Sequence, residues 1–242
     1  MVASAAGGLL LPAVSAAAIA VALVRGPQGH GAVLAARTYS RLMQRVLGWR
    51  IEAEGLERLT ERPCVVMPRH QSNLDVVVLG EVYPPGAVAI GKKEVARIPL
   101  FGWLWTVTGN FLVDRSDPGS AIASMRSATE RARSAGLSVW VAPEGHRNMA
   151  PLLLPFKKGA FHLAVGLGFP VVPVAVEPLR TVIDAERWVV RPGRLRLRVL
   201  PPIPTDGLGP GDVDALAERV RDALQRAQDE LAASAREPIL PV

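Results

Sequence analysis

The sequence predicts an α/β protein with a mixed, largely parallel sheet covered by helices. Short apolar runs alternate with helical stretches along the chain, and the length of 242 residues suits one such domain. No repeat or low-complexity linker divides the C-terminal part. Strands are expected at 51–57, 64–67, 87–90, 137–142, 171–176 and 194–199, with one more between Gly109 and Arg115.

Helices are expected between these strands, at 74–82, at 120–135 and in a stretch ending at Leu167. A last helix over 212–235 carries an apolar stripe at helical spacing, formed by Leu216, Val220, Leu224, Ala227 and Leu231. In the strand 194–199, arginines alternate with apolar residues, which predicts a half-buried strand with the arginines on its solvated face. Alternating strands and helices favour parallel pairing, so the carboxyl ends of several strands should share one edge.

Residues 1–50 are interpreted as a membrane-docking pair of helices ahead of a catalytic domain at 51–242. Residues 2–24 carry no charge and are long enough to cross a bilayer, and a signal peptide is disfavoured because no Lys or Arg precedes the run. Residues 31–50 place Arg37, Arg41 and Arg45 on one helical face and apolar residues on the other. This helix is expected on an anionic membrane, and the alternative is that it packs on the protein core.

Charge and composition limit the classes of molecule that the protein is expected to bind. The net charge of +6 fits anionic lipids, anionic substrates or nucleic acid, but 5% aromatic residues and the lack of a zinc-finger pattern disfavour nucleic acid. Cys64 is the single cysteine, so no intramolecular disulfide and no Cys-rich metal site is expected. It is interpreted as a buried apolar residue, with a covalent acyl-cysteine as the alternative. The aromatic stretch 98–111 is expected to line an acyl pocket, dip into the membrane interface or pack in the core.

The strongest candidate for catalysis is His70, which has a carboxylate five positions later at Asp75. A carboxylate that reaches an imidazole sets its tautomer and supports proton abstraction from an alcohol. Five residues on a continuous helix would separate the two side chains, so His70 should end a loop and Asp75 should lie in the first turn of a helix. Ser72 or Asn73 can cap that helix. The spacing alone is weak evidence, and neighbouring motifs must decide its meaning.

The chain resembles the glycerophospholipid acyltransferase superfamily, which includes bacterial 1-acylglycerol-3-phosphate acyltransferases. The resemblance covers roughly residues 60–180 and lies in four blocks that follow the order of the family: His70 with Asp75; Gly109, Phe111 and Arg115; Glu144, Gly145 and Arg147; and Val172-Pro173-Val174. Four ordered blocks are far more specific than any one of them.

The resemblance implies that His70 is the general base and that Asp75 orients it. The acceptor hydroxyl would attack the thioester of an acyl-CoA or acyl-carrier protein directly, without an acyl-enzyme, a cofactor or a metal ion. The remaining family positions would bind substrate, with Arg115 and Arg147 holding phosphate and glycerol, Glu144 orienting within the site, and Pro173 shaping the acyl-donor wall. The substrate-binding set is Arg115, Glu144, Gly145, Arg147, Lys92, Lys93, Gly109, Phe111 and Pro173.

The implied reaction is acylation of the sn-2 hydroxyl of lysophosphatidic acid to phosphatidic acid, at the cytoplasmic side of the cell inner membrane. Two residues depart from the pattern: Arg69 stands where asparagine is common, and His146 where threonine is common. These departures leave another lysolipid acceptor open, such as a lysolipid of ornithine or a glycolipid. Hydrolysis of a thioester or phosphoester would also fit the sequence, and so would a non-catalytic membrane-binding role.

Overall fold

A computed structural model describes residues 12–17, 19–20, 23–24, 30–59, 63–184, 186–187 and 189–234. The strands of this part are β1 (Trp49–Glu54), β2 (Val65–Pro68), β3 (Ala87–Lys92), β4 (Phe111–Val113), β5 (Ser138–Trp140), β6 (Val171–Val176), β7 (Ile183–Asp184), β8 (Val189–Val190) and β9 (Gly193–Val199). The helices are α1 (His30–Leu47), α2 (Asp75–Leu79), α3 (Phe101–Val107), α4 (Pro118–Ser134), α5 (Lys158–Leu167) and α6 (Val213–Ser234). Short 3₁₀ helices lie at Leu56–Leu59, Gly80–Val82, Lys93–Arg97, Leu179–Thr181 and Pro210–Asp212.

Seven strands form one sheet in the order β1-β9-β6-β2-β5-β3-β4, and β7 pairs with β8 in a separate ribbon. Neighbours in the large sheet are parallel except β6 and β9, which are antiparallel. The predicted mixed, largely parallel sheet is therefore confirmed. The five strands from β6 to β4 point the same way, so their carboxyl ends share one edge of the sheet.

Helices cover both faces of this sheet, and successive residues of a strand point into opposite cores. Val65 of β2 faces the core formed with α4, α5 and α6, while Val66 faces the core formed with α1 and α2. The predicted apolar stripe of the last helix is confirmed, because all five of its residues are buried in the first core. Burial on both faces explains why the central strands are almost wholly apolar.

The apolar stripe of α1 packs on the protein. Tyr39, Met43 and Leu47 are buried in the second core, and Ser40 Oγ donates a hydrogen bond to the carbonyl oxygen of Val77 in α2, at 2.5 Å. Gly80 permits this approach, since an added Cβ there would lie 2.8 Å from the Ser40 Cβ. These three residues therefore pack in the core, as the alternative has it, while Val46 of the same stripe is 44% exposed. Docking of residues 1–50 on a membrane stays a prediction.

The predicted span at residues 2–24 lies only partly within the described residues, because 2–11, 18 and 21–22 fall outside them. Residues 12–17, 19–20 and 23–24 are helical, and Val14 and Ile19 pack against Leu104 of α3. Among the helices that the structure describes, none combines the length and apolar character needed to cross a bilayer.

The arginine face of β9 is only partly solvated: Arg194 is exposed, as the alternation predicts, whereas Arg196 and Arg198 are half-buried. Arg196 is bonded to buried Glu177, with 3.3 Å between Nε and Oε2, and Arg198 binds both Glu54 and Glu230. Glu230 belongs to α6, and Arg196 also donates to the carbonyl oxygen of Leu231 in that helix. Arg196 and Arg198 thus join β9, which lies between β1 and β6, to the last helix.

Candidate active site

The loop after β2 brings His70 and Asp75 together as the spacing predicts. β2 ends at Pro68, and Asp75 is the first residue of α2. His70 Nδ1 lies 2.7 Å from Asp75 Oδ2. Because an ionised carboxylate only accepts hydrogen bonds, Nδ1 carries the proton and Nε2 is left as an acceptor.

Asp75 is fixed by backbone donors of its own loop. The amide of Gln71 donates to Oδ2 at 2.6 Å and the amide of Ser72 donates to Oδ1 at 3.1 Å. The carboxylate is buried, whereas the side chain of His70 is 36% exposed. Neither Ser72 nor Asn73 is the N-cap residue of α2, because Leu74 occupies that position. Ser72 Oγ instead accepts a hydrogen bond from the amide of Leu74. The result is a rigid orienting group behind an accessible imidazole.

Glu144 is a buried support of the His70 loop. Its Oε1 accepts from the amide of His70 at 3.3 Å, and its Oε2 accepts from the amide of Leu154 at 3.0 Å. Both carboxylate oxygens therefore point at backbone, with the side chain 1% exposed. The predicted orienting role fits this position, whereas direct substrate contact does not.

Arg69 and Gln71 tie the loop to two other strand ends. The Arg69 guanidinium, which is buried, donates to the carbonyl oxygens of Asn148 and Ala150. Burial lowers the pKa of Arg69, and the negative charges of Glu144 and Asp75 oppose that shift. Gln71 donates from Nε2 to the carbonyls of Val176 and Glu177, at the end of β6.

The loop after β5 contacts the His70 loop and two arginines. The amide of Asn148 donates to the carbonyl oxygen of His70 at 2.9 Å, and Arg147 donates to the Asn73 side chain. Arg115 Nη1, from the end of β4, donates to the carbonyl oxygen of Gly145 at 2.8 Å. Arg115 and Arg147 are both exposed, and their contacts link the loops after β2, β4 and β5.

Lys157 is a member of this cation group that the motifs did not single out. Its amide donates to the carbonyl oxygen of Pro143 at 2.8 Å. Gly145 has a φ of +70°, and a Cβ there would lie 3.0 Å from Lys157 Cγ and 3.9 Å from Arg115 Nη1. Gly145 is thus required both for its backbone conformation and for the close approach of two cationic side chains. The Phe156-Lys157-Lys158 run was the available sequence signal, but nothing in it indicates contact with Gly145.

Lys92 and Lys93 lie at the end of β3, separated from β2 by β5. Lys93 Nζ forms an ion pair with Asp114 at 2.8 Å, which lowers the pKa of Asp114 to about 2. The charge of Lys93 is therefore already matched. Lys92 is exposed and has no ion pair within the described ranges, so it is the better candidate for an anion.

Two of the three remaining predicted positions, Phe111 and Pro173, are buried, and the third, Gly109, is half-buried. Phe111 is 5% exposed in β4, with the guanidinium of Arg131 4.7 Å from its ring centre. Pro173 is buried in the middle of β6 next to Met67 of β2. Gly109 forms a turn with a φ of +78°. The expected substrate contacts of Phe111 and Pro173 do not fit this structure, since neither side chain presents surface to a ligand.

The geometry defines the class of site. An imidazole with a free nitrogen and a fixed carboxylate can take a proton from a hydroxyl, and the exposed guanidinium groups on the adjoining loops can hold an anion. The site stands at the carboxyl edge of parallel strands, where α/β enzymes carry their chemistry. The described residues contain no group of three or more His, Cys, Asp or Glu side chains that could hold a metal ion.

The chain belongs to the Acyltransferase family, whose model matches residues 50–177. It is 35% identical over 201 residues to the 1-acyl-sn-glycerol-3-phosphate acyltransferase of Saccharomyces cerevisiae, covering 82% of this chain and 66% of that protein. It is also 35% identical to the protein of that name from Haemophilus influenzae over 168 residues, which is 69% of each chain. The chain thus spans just under two thirds of the yeast relative.

A solved structure supports the fold. The crystal structure of the 1-acyl-sn-glycerophosphate (LPA) acyltransferase PlsC from Thermotoga maritima matches with a TM-score of 0.71 at 24% identity. The match covers 95% of this chain and 97% of that chain. The seven-stranded sheet and its helices are therefore the fold of that protein.

Proposed function

We propose that this protein transfers a fatty acyl group from acyl-CoA or acyl-carrier protein to the sn-2 hydroxyl of lysophosphatidic acid, forming phosphatidic acid. The observation that carries the proposal is the His70–Asp75 pair, at 2.7 Å, with Nε2 free and Arg147 on the adjoining loop. The names of the relatives from yeast and Haemophilus influenzae support the acceptor.

The first step is proton abstraction from the acceptor. The hydroxyl of the glycerol donates its hydrogen bond to His70 Nε2 and loses the proton as its oxygen attacks the thioester carbon. Positive charge develops on the imidazole, and buried Asp75 stabilises it without itself moving. The two amides on Asp75 keep the carboxylate in place during this change.

The second step expels the thiol. The new carbon–oxygen bond forms a tetrahedral intermediate, the carbon–sulfur bond breaks, and the imidazolium returns its proton to the departing thiolate. No acyl-enzyme is needed, because the acceptor itself is the nucleophile. Cys64, the alternative nucleophile, is fully buried in the core between the sheet and α1 with α2, which supports direct transfer.

The acceptor phosphate is held by the cations around Gly145. A phosphomonoester carries close to two negative charges, which Arg115, Arg147 and Lys157 can match from three directions. Guanidinium groups suit this task because they bind two phosphate oxygens at once. The bonds of Arg115 to Gly145 and of Arg147 to Asn73 pre-position both side chains.

The lipid substrate and the net charge of +6 support catalysis at an anionic membrane surface. We place the protein at the cell inner membrane with the catalytic residues facing the cytoplasm, where acyl-CoA and acyl-carrier protein are found. Tyr39, Met43 and Leu47 of α1 are covered by the protein, which leaves Leu34 and Val46 as the exposed large apolar side chains described in this helix.

Thiol release tests the chemistry. Purified protein with acyl-CoA and lysophosphatidic acid should release free CoA and form a product with the mass of phosphatidic acid. His70→Ala should lower the rate about 10²- to 10⁴-fold. The matched control is His162→Ala, which removes an exposed histidine of α5 and should leave the rate unchanged. Equal rates for His70→Ala and the native protein would refute the proposal.

One observation favours testing a second acceptor class. His146 is exposed between Gly145 and Arg147, so a titratable group borders the cations. A panel containing lysophosphatidic acid, a lysolipid of ornithine and a glycolipid acceptor identifies the preferred acceptor by product mass. Strict dependence on the phosphomonoester would exclude the other lysolipids, and free fatty acid as the main product would indicate hydrolysis instead.

A further inference from the structure

The helix α3 presents a tryptophan to solvent on the side away from its anchored tryptophan. The side chain of Trp103 is 68% exposed, and Ile98, just before the helix, is 42% exposed. Trp105 points inward: its Nε1 donates to the carbonyl oxygen of Phe111 at 3.2 Å, and its ring lies against Gly91. Core packing therefore describes Trp105 but not Trp103.

The corner that carries these exposed side chains is tightly packed, with one strained residue. Leu100 has a φ of +61° and is the only non-glycine residue with positive φ among the described residues. The amide of Gly102 donates to the carbonyl oxygen of Ile98 at 2.7 Å, and Gly102 lies so close to the Ala96 carbonyl that a Cβ would clash. A strained, tightly packed corner holds Ile98 and Trp103 outward, at a cost that an ordinary surface loop would not carry.

The surroundings of this corner are cationic and apolar. Arg97 directly precedes Ile98 and is exposed, and neither it nor Lys92 has an ion pair within the part of the chain described. Glu94 is the one acidic residue of the 3₁₀ helix between them. Exposed tryptophan flanked by basic residues is the pattern of side chains that sit at the headgroup level of a bilayer.

We propose that residues 97–103 form an interfacial anchor that inserts Ile98 and Trp103 into an anionic phospholipid bilayer, with Arg97 at the lipid phosphates. Lipid is favoured over a second copy of this chain because a membrane supplies both apolar depth and negative charge. The anchor deepens the proposed function, and the lipid acceptor assumed there is part of its support.

The anchor is joined directly to the candidate site. The 3₁₀ helix Lys93–Arg97 begins where β3 ends at Lys92, and Trp105 binds Phe111 of β4, the strand that leads to Arg115. A bilayer held at Trp103 would therefore lie beside the strand ends that carry the phosphate-binding cations. The acceptor could then reach His70 without leaving the headgroup layer.

Vesicle binding tests the anchor. The full chain is mixed with phosphatidylglycerol–phosphatidylcholine vesicles or with pure phosphatidylcholine vesicles, and the bound fraction is measured by sedimentation. Trp103→Ala should weaken binding to the anionic vesicles about tenfold, and Arg97→Gln should weaken it severalfold only on those vesicles. The matched control is Ile122→Ala, which removes a 69% exposed side chain from α4 on the opposite face of the sheet and should bind as the native chain does.

Two further measurements separate the anchor from the chemistry. His70→Ala should bind vesicles like the native chain, and Trp103→Ala should keep native activity on a short-chain, monomeric acceptor while losing about tenfold on acceptor embedded in vesicles. Equal vesicle binding by Trp103→Ala and the native chain would overturn the anchor. So would a native dimer in solution that Trp103→Ala dissociates, because the occupant would then be a second copy.

Discussion

Asp75→Asn is the sharpest test of how the site works. In the structure, Asp75 accepts from His70 Nδ1 at 2.7 Å, from the Gln71 amide at 2.6 Å and from the Ser72 amide at 3.1 Å. Asparagine keeps the shape but has one acceptor oxygen, so its amide nitrogen must face one of these three donors. It also removes the negative charge that balances the imidazolium.

The magnitude follows from these contacts. Losing the orienting charge and tautomer should lower kcat about 10³- to 10⁴-fold, which is a barrier increase of about 4–5.5 kcal/mol. Because the amide nitrogen of asparagine would face a buried backbone donor, the substitution should lower the free energy of unfolding by about 2 kcal/mol. The KM for the acceptor should change little, because the phosphate cations are untouched.

The assay is steady-state thiol release with acyl-CoA and lysophosphatidic acid, with the free energy of unfolding from a urea titration. The double variant His70→Ala with Asp75→Asn should be about as slow as His70→Ala alone, since Asp75 acts only through the imidazole. A folded Asp75→Asn protein with more than a tenth of native kcat would refute the reasoning. The reasoning would also be refuted if the fall in kcat of the double variant equalled the product of the two single-variant effects.

Glu144→Gln should lower kcat about tenfold and also lower the melting temperature, because one of its two oxygens no longer accepts from backbone; an unchanged melting temperature would contradict the support role. Arg115→Ala and Arg147→Ala should raise the acceptor KM about tenfold or more, with partial rescue by lysine, and an unchanged KM would remove them from the phosphate site. Burial raises the pKa of Tyr83, because it disfavours the charged phenolate. The folded state therefore keeps its full stability below the unfolded-state pKa of about 10, and this part of the stability is lost as the pH rises above that value. When the pH is raised from 8 to 11, the free energy of unfolding measured by urea titration should therefore fall less for Tyr83→Phe than for the native chain. An equal fall in both proteins would refute this.

The catalytic pair could be predicted because it is local. A strand, a short loop and the first turn of a helix span His70 to Asp75, and the proline at position 68 limits how the chain can leave β2. Its support could not be predicted in the same way. Glu144 reaches His70 across 74 residues, and the contact of Lys157 with Gly145 depends on how two loops pack.

The helix α1 shows why amphipathic pattern alone does not choose a partner. The spacing of Tyr39, Met43 and Leu47 predicts an apolar face correctly, but a membrane and a protein core give the same pattern. The burial of these three side chains shows that they face the core, and Gly80 permits it, because a side chain there would collide with Ala36 and Ser40 of α1. The 97–103 corner shows the opposite case, in which exposed apolar side chains remain after the core has formed.

Periodicity and local motifs determined the class of fold, most of its elements and the His70–Asp75 pair, since each depends on residues close in sequence. The antiparallel placement of β9 beside β6, the burial of Arg69 and Glu144 and the outward position of Trp103 were decided only by the tertiary structure. The physical reason is that burial and hydrogen-bond partners depend on which distant segments meet. Which segments come into contact depends on how the whole sheet packs between its helices, and a short stretch of sequence does not specify that packing.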